Sequence, residues 1–167
     1  MELFQPVFSA LEAREARYVV VGGFAVVLHG FARLTADIDM IVDLDASHCR
    51  RVMEGLLAAG LVPRPPVDAF DFCDEGIRRS WIVEKGMRVF SLWAPKNPML
   101  EVDLFLESPM PFADLWARST RVSAGDLCVR IASLKDLVAL KRAANRPVDR
   151  EDIEALTVIA RKKGEDV

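Results

Sequence analysis

Asp37 and Asp39 flank Ile38 in the apolar stretch DIDMIV, and that spacing suits the pair to holding a cation. Successive side chains of a strand point to opposite faces, so the two carboxylates share one face while Ile38 and Met40 take the other. Side by side they repel, and ionising both is costly unless a cation sits between them. Mg²⁺ selects such oxygen-rich clusters, usually with a substrate phosphate completing its shell. On an exposed strand a D-x-D would simply be a solvated face. Here Ile38, Met40, Ile41 and Val42 make the strand apolar, and carboxylates in a buried strand need partners. Just upstream, Gly22 and Gly23 follow the apolar run Tyr18–Val21, where backbone N–H groups at a helix start can cradle phosphate.

A third acid stands in LEVDLF, where Glu101 and Asp103 share a face and Leu100, Val102 and Leu104 occupy the other. If this strand lies beside the aspartate strand, Asp103 completes a three-carboxylate cluster, with Glu101 as an outer neighbour. Such a cluster can hold two divalent ions roughly 3.5–4 Å apart, one activating an attacking hydroxyl and one steadying the leaving group. Arg33, four residues before Asp37, can reach a triphosphate as a planar donor or pair at the surface. Lys141 falls on the apolar stripe of Leu134, Leu137 and Val138, so it must snorkel, pair, or point into a cleft holding an anion. Asp149, after Pro147 and before the periodic Ile153, Leu156 and Ile159, reads as the N-cap of a final helix. Asp152 suits either that helix's dipole or a pairing with Lys141 or Arg146.

Taken together, Gly22-Gly23, His29-Gly30, Arg33, Thr35 and Asp37-Ile38-Asp39 resemble the signature of the DNA polymerase beta-type nucleotidyltransferase superfamily. The likeness is to its small prokaryotic branch of minimal and abortive-infection toxin-type enzymes, and it runs from about Tyr18 to Leu156. That family usually has Gly-Ser where this chain has Gly22-Gly23; the serine hydroxyl is missing while the backbone donors remain. LKRAANRPVDREDIEAL is similar to the C-terminal motif of the toxin-type enzymes, in which Lys141, Arg146 and then Asp149 or Asp152 follow one another. The resemblance implies Mg²⁺-dependent transfer of a nucleoside monophosphate from an NTP to an acceptor, with Mn²⁺ as an alternative ion. It implies Asp37, Asp39 and Asp103 as catalytic metal ligands, and Gly22, Gly23, Arg33, Thr35 and Lys141 as the nucleotide-binding set. The acceptor stays open among RNA, protein and small molecules, and the toxin-type likeness suggests an antitoxin partner. A non-catalytic nucleotide- or partner-binding module of the same fold is the rival reading. A D-x-D glycosyltransferase is a weaker one, since it normally needs a larger nucleotide-binding domain.

Composition fits a cytoplasmic enzyme. The chain has 167 residues, 51% of them hydrophobic, and a mean hydropathy of +0.18, enough for a sizeable core. One domain is expected, with residues 1–132 as a catalytic α/β core and 133–167 as a helical annex. A net charge of −3 argues against general electrostatic adhesion to nucleic acid. Cys49, Cys73 and Cys128 form no C-x-x-C pair and read as reduced thiols. The N-terminal residues lack a signal-peptide pattern, and the apolar run Tyr18–Leu28 is too short to span a bilayer, so no membrane partner is expected.

The elements that must position these residues follow from periodicity and breakers. Helices are expected over Glu2–Arg17, Phe24–His29, Ala46–Ala59 and Ser133–Ala144, with strands over Tyr18–Val21, Thr35–Val42, Arg88–Trp93 and Leu100–Leu106. Pro63–Gly76, with three prolines, is expected to be an irregular, mobile loop. The fold class is α/β (α+β): a small mixed, largely antiparallel sheet with packed helices and a helical C-terminal segment closing a cleft.

Overall fold

The two apolar runs nearest the aspartates form the middle of the sheet. β1 (Tyr18–Val21) is buried along its whole length, and β2 (Asp37–Val42) runs antiparallel to it. In the computed structural model, which describes residues 2–35, 37–124 and 127–167, five more strands extend this pair. They are β3 (Val62–Pro63), β4 (Val89–Ala94), β5 (Asn97–Phe105), β6 (Thr120–Ala124) and β7 (Leu127–Ile131). Their order is β3-β4-β5-β2-β1-β7-β6. Only the β2–β5 and β1–β7 pairings are parallel, so the described sheet is mixed and largely antiparallel.

Alternation along β2 and β5 sorts the chemistry from the core. Ile38, Met40, Val102 and Leu104 are buried, while Asp37, Asp39, Glu101 and Asp103 point to the opposite, partly open face. Seven α-helices are described: α1 (Gln5–Glu12), α2 (Gly22–Leu28), α3 (Ala46–Ala58), α4 (Glu75–Lys85), α5 (Phe112–Arg118), α6 (Leu134–Ala144) and α7 (Pro147–Lys163). Phe4 and Phe8 at the N-terminus pack on Phe24 of α2, and Leu134, Leu137, Val138, Leu156 and Ala160 carry α6 and α7 into the same core. Asp45 and Ser133 cap α3 and α6 by accepting from the N–H groups of Ser47 and Asp136. No helix among the described residues is long and apolar enough to cross a membrane.

Several elements differ from the expectation. The first helix stops at Glu12 rather than Arg17; a turn with Glu15 at positive φ follows, and a short 3-10 helix, Glu2–Phe4, precedes it. The stretch Pro63–Gly76 is anchored rather than loose. Asp68 and Asp74 cap a 3-10 helix (Ala69–Cys73) and α4, and Phe72 is fully buried against Phe90, which also stacks on Trp81. β5 begins earlier than expected, at Asn97, because the hairpin from β4 turns tightly at Pro95 and Lys96. Ala36, within the expected strand Thr35–Val42, lies outside the described residues. Asp149 is not the N-cap of the last helix. Arg146 holds that position, Pro147 follows it, and Asp149 reaches back from the third helical position to accept from the Arg146 N–H.

Candidate active site

The acid cluster is a product of register. β2 lies parallel to β5 with Asp39 opposite Asp103 and Asp37 opposite Glu101. Asp37, Asp39 and Asp103 each offer a carboxylate oxygen, and these three atoms lie within 4.8 Å of one another. Asp39 is pushed up to about 6, first by burial and then by the charges of Asp37 and Asp103, against the pull of Arg146 and Lys141. Burial likewise raises Asp103, opposed by the Ser91 hydroxyl across the β4–β5 ladder. Asp103 Oδ1 is buried without a hydrogen-bond partner. An orphaned carboxylate oxygen facing two other carboxylates is the chemistry a hard divalent cation satisfies, so these residues fit such an ion. Glu101 does not join them. Arg64 holds it in a bidentate pair at 2.7 and 2.6 Å, and that guanidinium also lies over Trp93.

Gly22 and Gly23 form the first turn of α2 immediately after β1, rather than a loop before it. Gly22 has φ +63°, and a Cβ built there would lie 1.8 Å from Asp39 Oδ2, so only glycine lets the backbone pass this close to the carboxylate. Beside Gly23, a Cβ would sit 2.9 Å from Thr35 Oγ1 and 3.2 Å from Arg33 Cζ. The space a serine side chain would need is therefore already taken. The Thr35 hydroxyl in turn donates to Asp37 Oδ1 at 3.3 Å.

Lys141, Arg33 and Arg146 meet at the junction of α6, α7 and the segment before β2. The lysine side chain is only 3% exposed, and Nζ lies 3.1 Å from Asp149 Oδ1 and 2.6 Å from Asp152 Oδ2. Of the roles open to Lys141 from its sequence position, the structure places it in a buried pairing. Arg33 Nη1 reaches the same Asp152 oxygen at 2.6 Å, and its Nε donates to the Leu34 carbonyl. Arg146 binds Asp149 through Nε at 2.9 Å and Nη2 at 3.1 Å. Burial opposes ionisation of Asp149, but the hydrogen bonds from Arg146 and Lys141 outweigh it and hold the group at about 2. His29 takes a structural place at the end of α2, donating from Nε2 to the Ala132 carbonyl at 2.8 Å.

A cavity of about 590 Å³ opens over the cluster. Asp37, Asp39, Arg88, Asp103, Lys141 and Arg146 supply its charged lining, with the Gly22 backbone beside them. Val89, Phe105, Pro109, Leu137, Leu140 and Ala144 form an apolar wall. Neither Arg33 nor Thr35 lines it; both stand behind Gly23. Sequence reasoning did not select Arg64, Ser91 or the cavity-facing part of Arg146. Arg146 stood in the sequence as a member of the C-terminal motif and as the residue before Pro147, and neither signal says that it lines the cavity.

Residues 2–165 match the family described as "Nucleotidyltransferase of unknown function (DUF6036)". No curated protein matches the chain. Among solved structures, the lincosamide antibiotic adenylyltransferase LnuA with lincomycin bound superposes with a TM-score of 0.62 at 18% identity, over 95% of this chain and 96% of that one. ANT(2")-Ia in complex with adenylyl-2"-tobramycin gives 0.60 at 12% identity, over 94% and 87% of the two chains. The solution structure of the same antibiotic-resistance factor gives 0.57 at 14% identity, over 98% and 83%. At these identities the likeness is one of fold.

Proposed function

Because the chain belongs to the nucleotidyltransferase family that matches it over residues 2–165, we propose that it moves a nucleoside monophosphate from an NTP to an acceptor hydroxyl. The observation that carries this reading is the convergence of Asp37, Asp39 and Asp103, one of whose oxygens is buried and orphaned, beside the Gly22 turn. The three carboxylates would hold Mg²⁺, or Mn²⁺ in its place. Bound there, the ion supplies Lewis-acid activation of the acceptor hydroxyl and neutralises charge on the phosphates. The chain's own part is positioning. Rigid neighbouring strands fix Asp39 and Asp103 in register, so little reorganisation is needed when charge builds up in transfer. Gly22 brings the backbone at the start of α2 to the cavity beside Asp39, and Thr35, behind Gly23, steadies Asp37 through its hydroxyl. The intact three-carboxylate cluster favours an active enzyme over a non-catalytic module. Arg33 serves from behind Gly23, braced by Asp152. A cytoplasmic setting, where NTPs and Mg²⁺ are at hand, belongs to this reading.

The acceptor best suited to the cavity is a small hydroxyl-bearing molecule. A volume of about 590 Å³ with one apolar wall is of small-molecule scale, and the two neighbouring enzymes hold lincomycin and an adenylylated tobramycin. RNA or a protein, with the antitoxin pairing that a toxin role implies, remains a weaker second choice at a net charge of −3. Incubation with each α-labelled and γ-labelled NTP, Mg²⁺, and separate small-molecule, RNA and protein fractions tests all of this. Expected is α-label in a small-molecule product with γ-label released in pyrophosphate. Label in RNA or protein would reassign the acceptor. Transfer from sugar nucleotides alone would establish a glycosyltransferase, and no transfer at all would leave the non-catalytic module.

A further inference from the structure

The cavity confronts an anionic triphosphate with three carboxylates, so phosphate binding there needs side-chain cations as well as metal. Three cationic side chains line the cavity, Arg88, Lys141 and Arg146. The two whose charges act on Asp39 are Arg146 and Lys141, and their situations differ. The lysine ammonium is buried between Asp149 and Asp152, whose side chains are 1% and 2% exposed. Drawing it out to a phosphate would leave two buried carboxylates short of a partner, a costly exchange. Arg146 carries the opposite signature. Its side chain is 60% exposed and lines the cavity, and it bonds Asp149 through Nε and Nη2, which leaves Nη1 to meet a ligand. Asp149 ties these together: it accepts from Lys141 Nζ, from the Arg146 backbone N–H, and from both Nε and Nη2 of Arg146. The chain corner adds rigidity, with Asn145 left-handed at the end of α6 and Pro147 opening α7.

Resting on the reading of this cavity as a nucleotide site, we propose that Arg146 is the side chain that grips the nucleotide's phosphates. Buried Lys141 is a positioning residue that aims it through Asp149. A half-anchored guanidinium suits the task, because the planar fork offers paired donors to phosphate oxygens and loses little freedom on binding. Lys141, in contrast, never needs to leave its two aspartates.

The probe is tripolyphosphate with Mg²⁺, titrated calorimetrically into the full chain, so that the base need not be known. Arg146→Met should weaken binding by about 10- to 100-fold while the protein still melts cooperatively above the titration temperature, and Arg146→Lys should recover only part of the loss. Lys141→Met should weaken binding several-fold in the wild-type background and have no effect in the Arg146→Met background, the coupling expected of a residue acting through another. If Lys141→Met fails to fold, Asp149→Asn loosens the same guanidinium while Lys141 keeps Asp152, and should show the same dependence on Arg146. Unchanged affinity in Arg146→Met, or additive losses in the double variants, overturns the assignment. Asp39→Asn separates the two levels of argument. Tripolyphosphate binding that needs Asp39 but not Arg146 overturns the clamp alone, whereas no Mg²⁺-dependent binding by the wild type overturns the nucleotide site and the clamp with it.

Discussion

The Gly22 backbone passes so close to Asp39 that the carboxylate oxygen Oδ2 occupies the place of a residue-22 side chain. Gly22→Ala must therefore move Asp39 and also pay the strain of positive φ, of order 1–3 kcal/mol. Urea denaturation should register that loss, and the displaced carboxylate should weaken Mg²⁺ binding by isothermal titration. A Gly22→Ala protein as stable as wild type and equally responsive to Mg²⁺ would refute the close approach.

Neutralising the cluster should have opposite effects with and without metal. Asp37→Asn or Asp39→Asn removes carboxylate repulsion, so the metal-free melting temperature should hold or rise. Mg²⁺ should raise the wild-type melting temperature and leave the variants unmoved, by linkage, and transfer activity should vanish. Melting curves with and without Mg²⁺ decide it; an undiminished metal response in both variants removes Asp37 and Asp39 from the ligand set.

Acidity gives a signed test of the same carboxylates. Asp39 sits at about 6 in the folded protein, above its ordinary value of 3.8. The folded state thus binds the proton more tightly, and the stability this contributes is fully present below about pH 4 and lost as pH climbs through 6. The contribution is on the order of 2–3 kcal/mol. Added Mg²⁺ competes with that proton, so its stabilising effect should grow across the same interval. Denaturation midpoints at several pH values, with EDTA and with Mg²⁺, would expose a flat or reversed trend.

Lys141→Met strips both buried aspartates of their shared ammonium. Although methionine keeps the stem's packing, the unfolding free energy should fall by about 3–5 kcal/mol, the usual consequence of breaking a buried ion pair from one side. Lys141→Met combined with Asp152→Asn should regain part of it. A single variant within about 0.5 kcal/mol of wild type would mean that water or Arg33 already satisfies the pair.

Below neutral pH the same junction should prove durable. Asp149 is held at about 2, so its stabilising share persists above the ordinary carboxylate value and is lost only as pH falls from about 4 through 2. Replacing Arg146 with Met removes one source of that depression. The acid unfolding midpoint should then move upward, which circular dichroism across an acid titration would register.

Local patterns made the centre of this site legible. The glycine pair after an apolar strand and the alternation around Asp37 and Asp39 are short-range signals, and Asp103 declared itself by the same alternation in LEVDLF. What no local pattern carries is the partner of a side chain. Lys141 was visible as a charge on an apolar stripe and Asp152 as one partner open to it, but the choice of that pairing, and the joining of Asp149 to it, depend on a corner set by Asn145 and Pro147. Pro63–Gly76 misled because prolines announce irregular backbone without saying whether it is anchored. Phe72, with Ile77 and Trp81 at helical spacing, held the contrary hint. α5 has seven residues and β6 and β7 five each, too brief for periodicity to single out.

The parallel pairing of β2 with β5 has a consequence in time. Parallel neighbours cannot be joined by a tight turn, and here α3, β3, α4 and β4 all intervene between them. Asp39 and Asp103 therefore meet only after a long intervening segment has been synthesised and folded, a non-local closure of the kind that slows folding. A nascent chain that has emerged only as far as β2 carries two mutually repelling carboxylates with nothing to complete them. The acid cluster is complete only when the β4–β5 hairpin docks, and Lys141 and Arg146 arrive later still with α6 and α7, so the cavity cannot be assembled on a growing chain before most of it has left the ribosome.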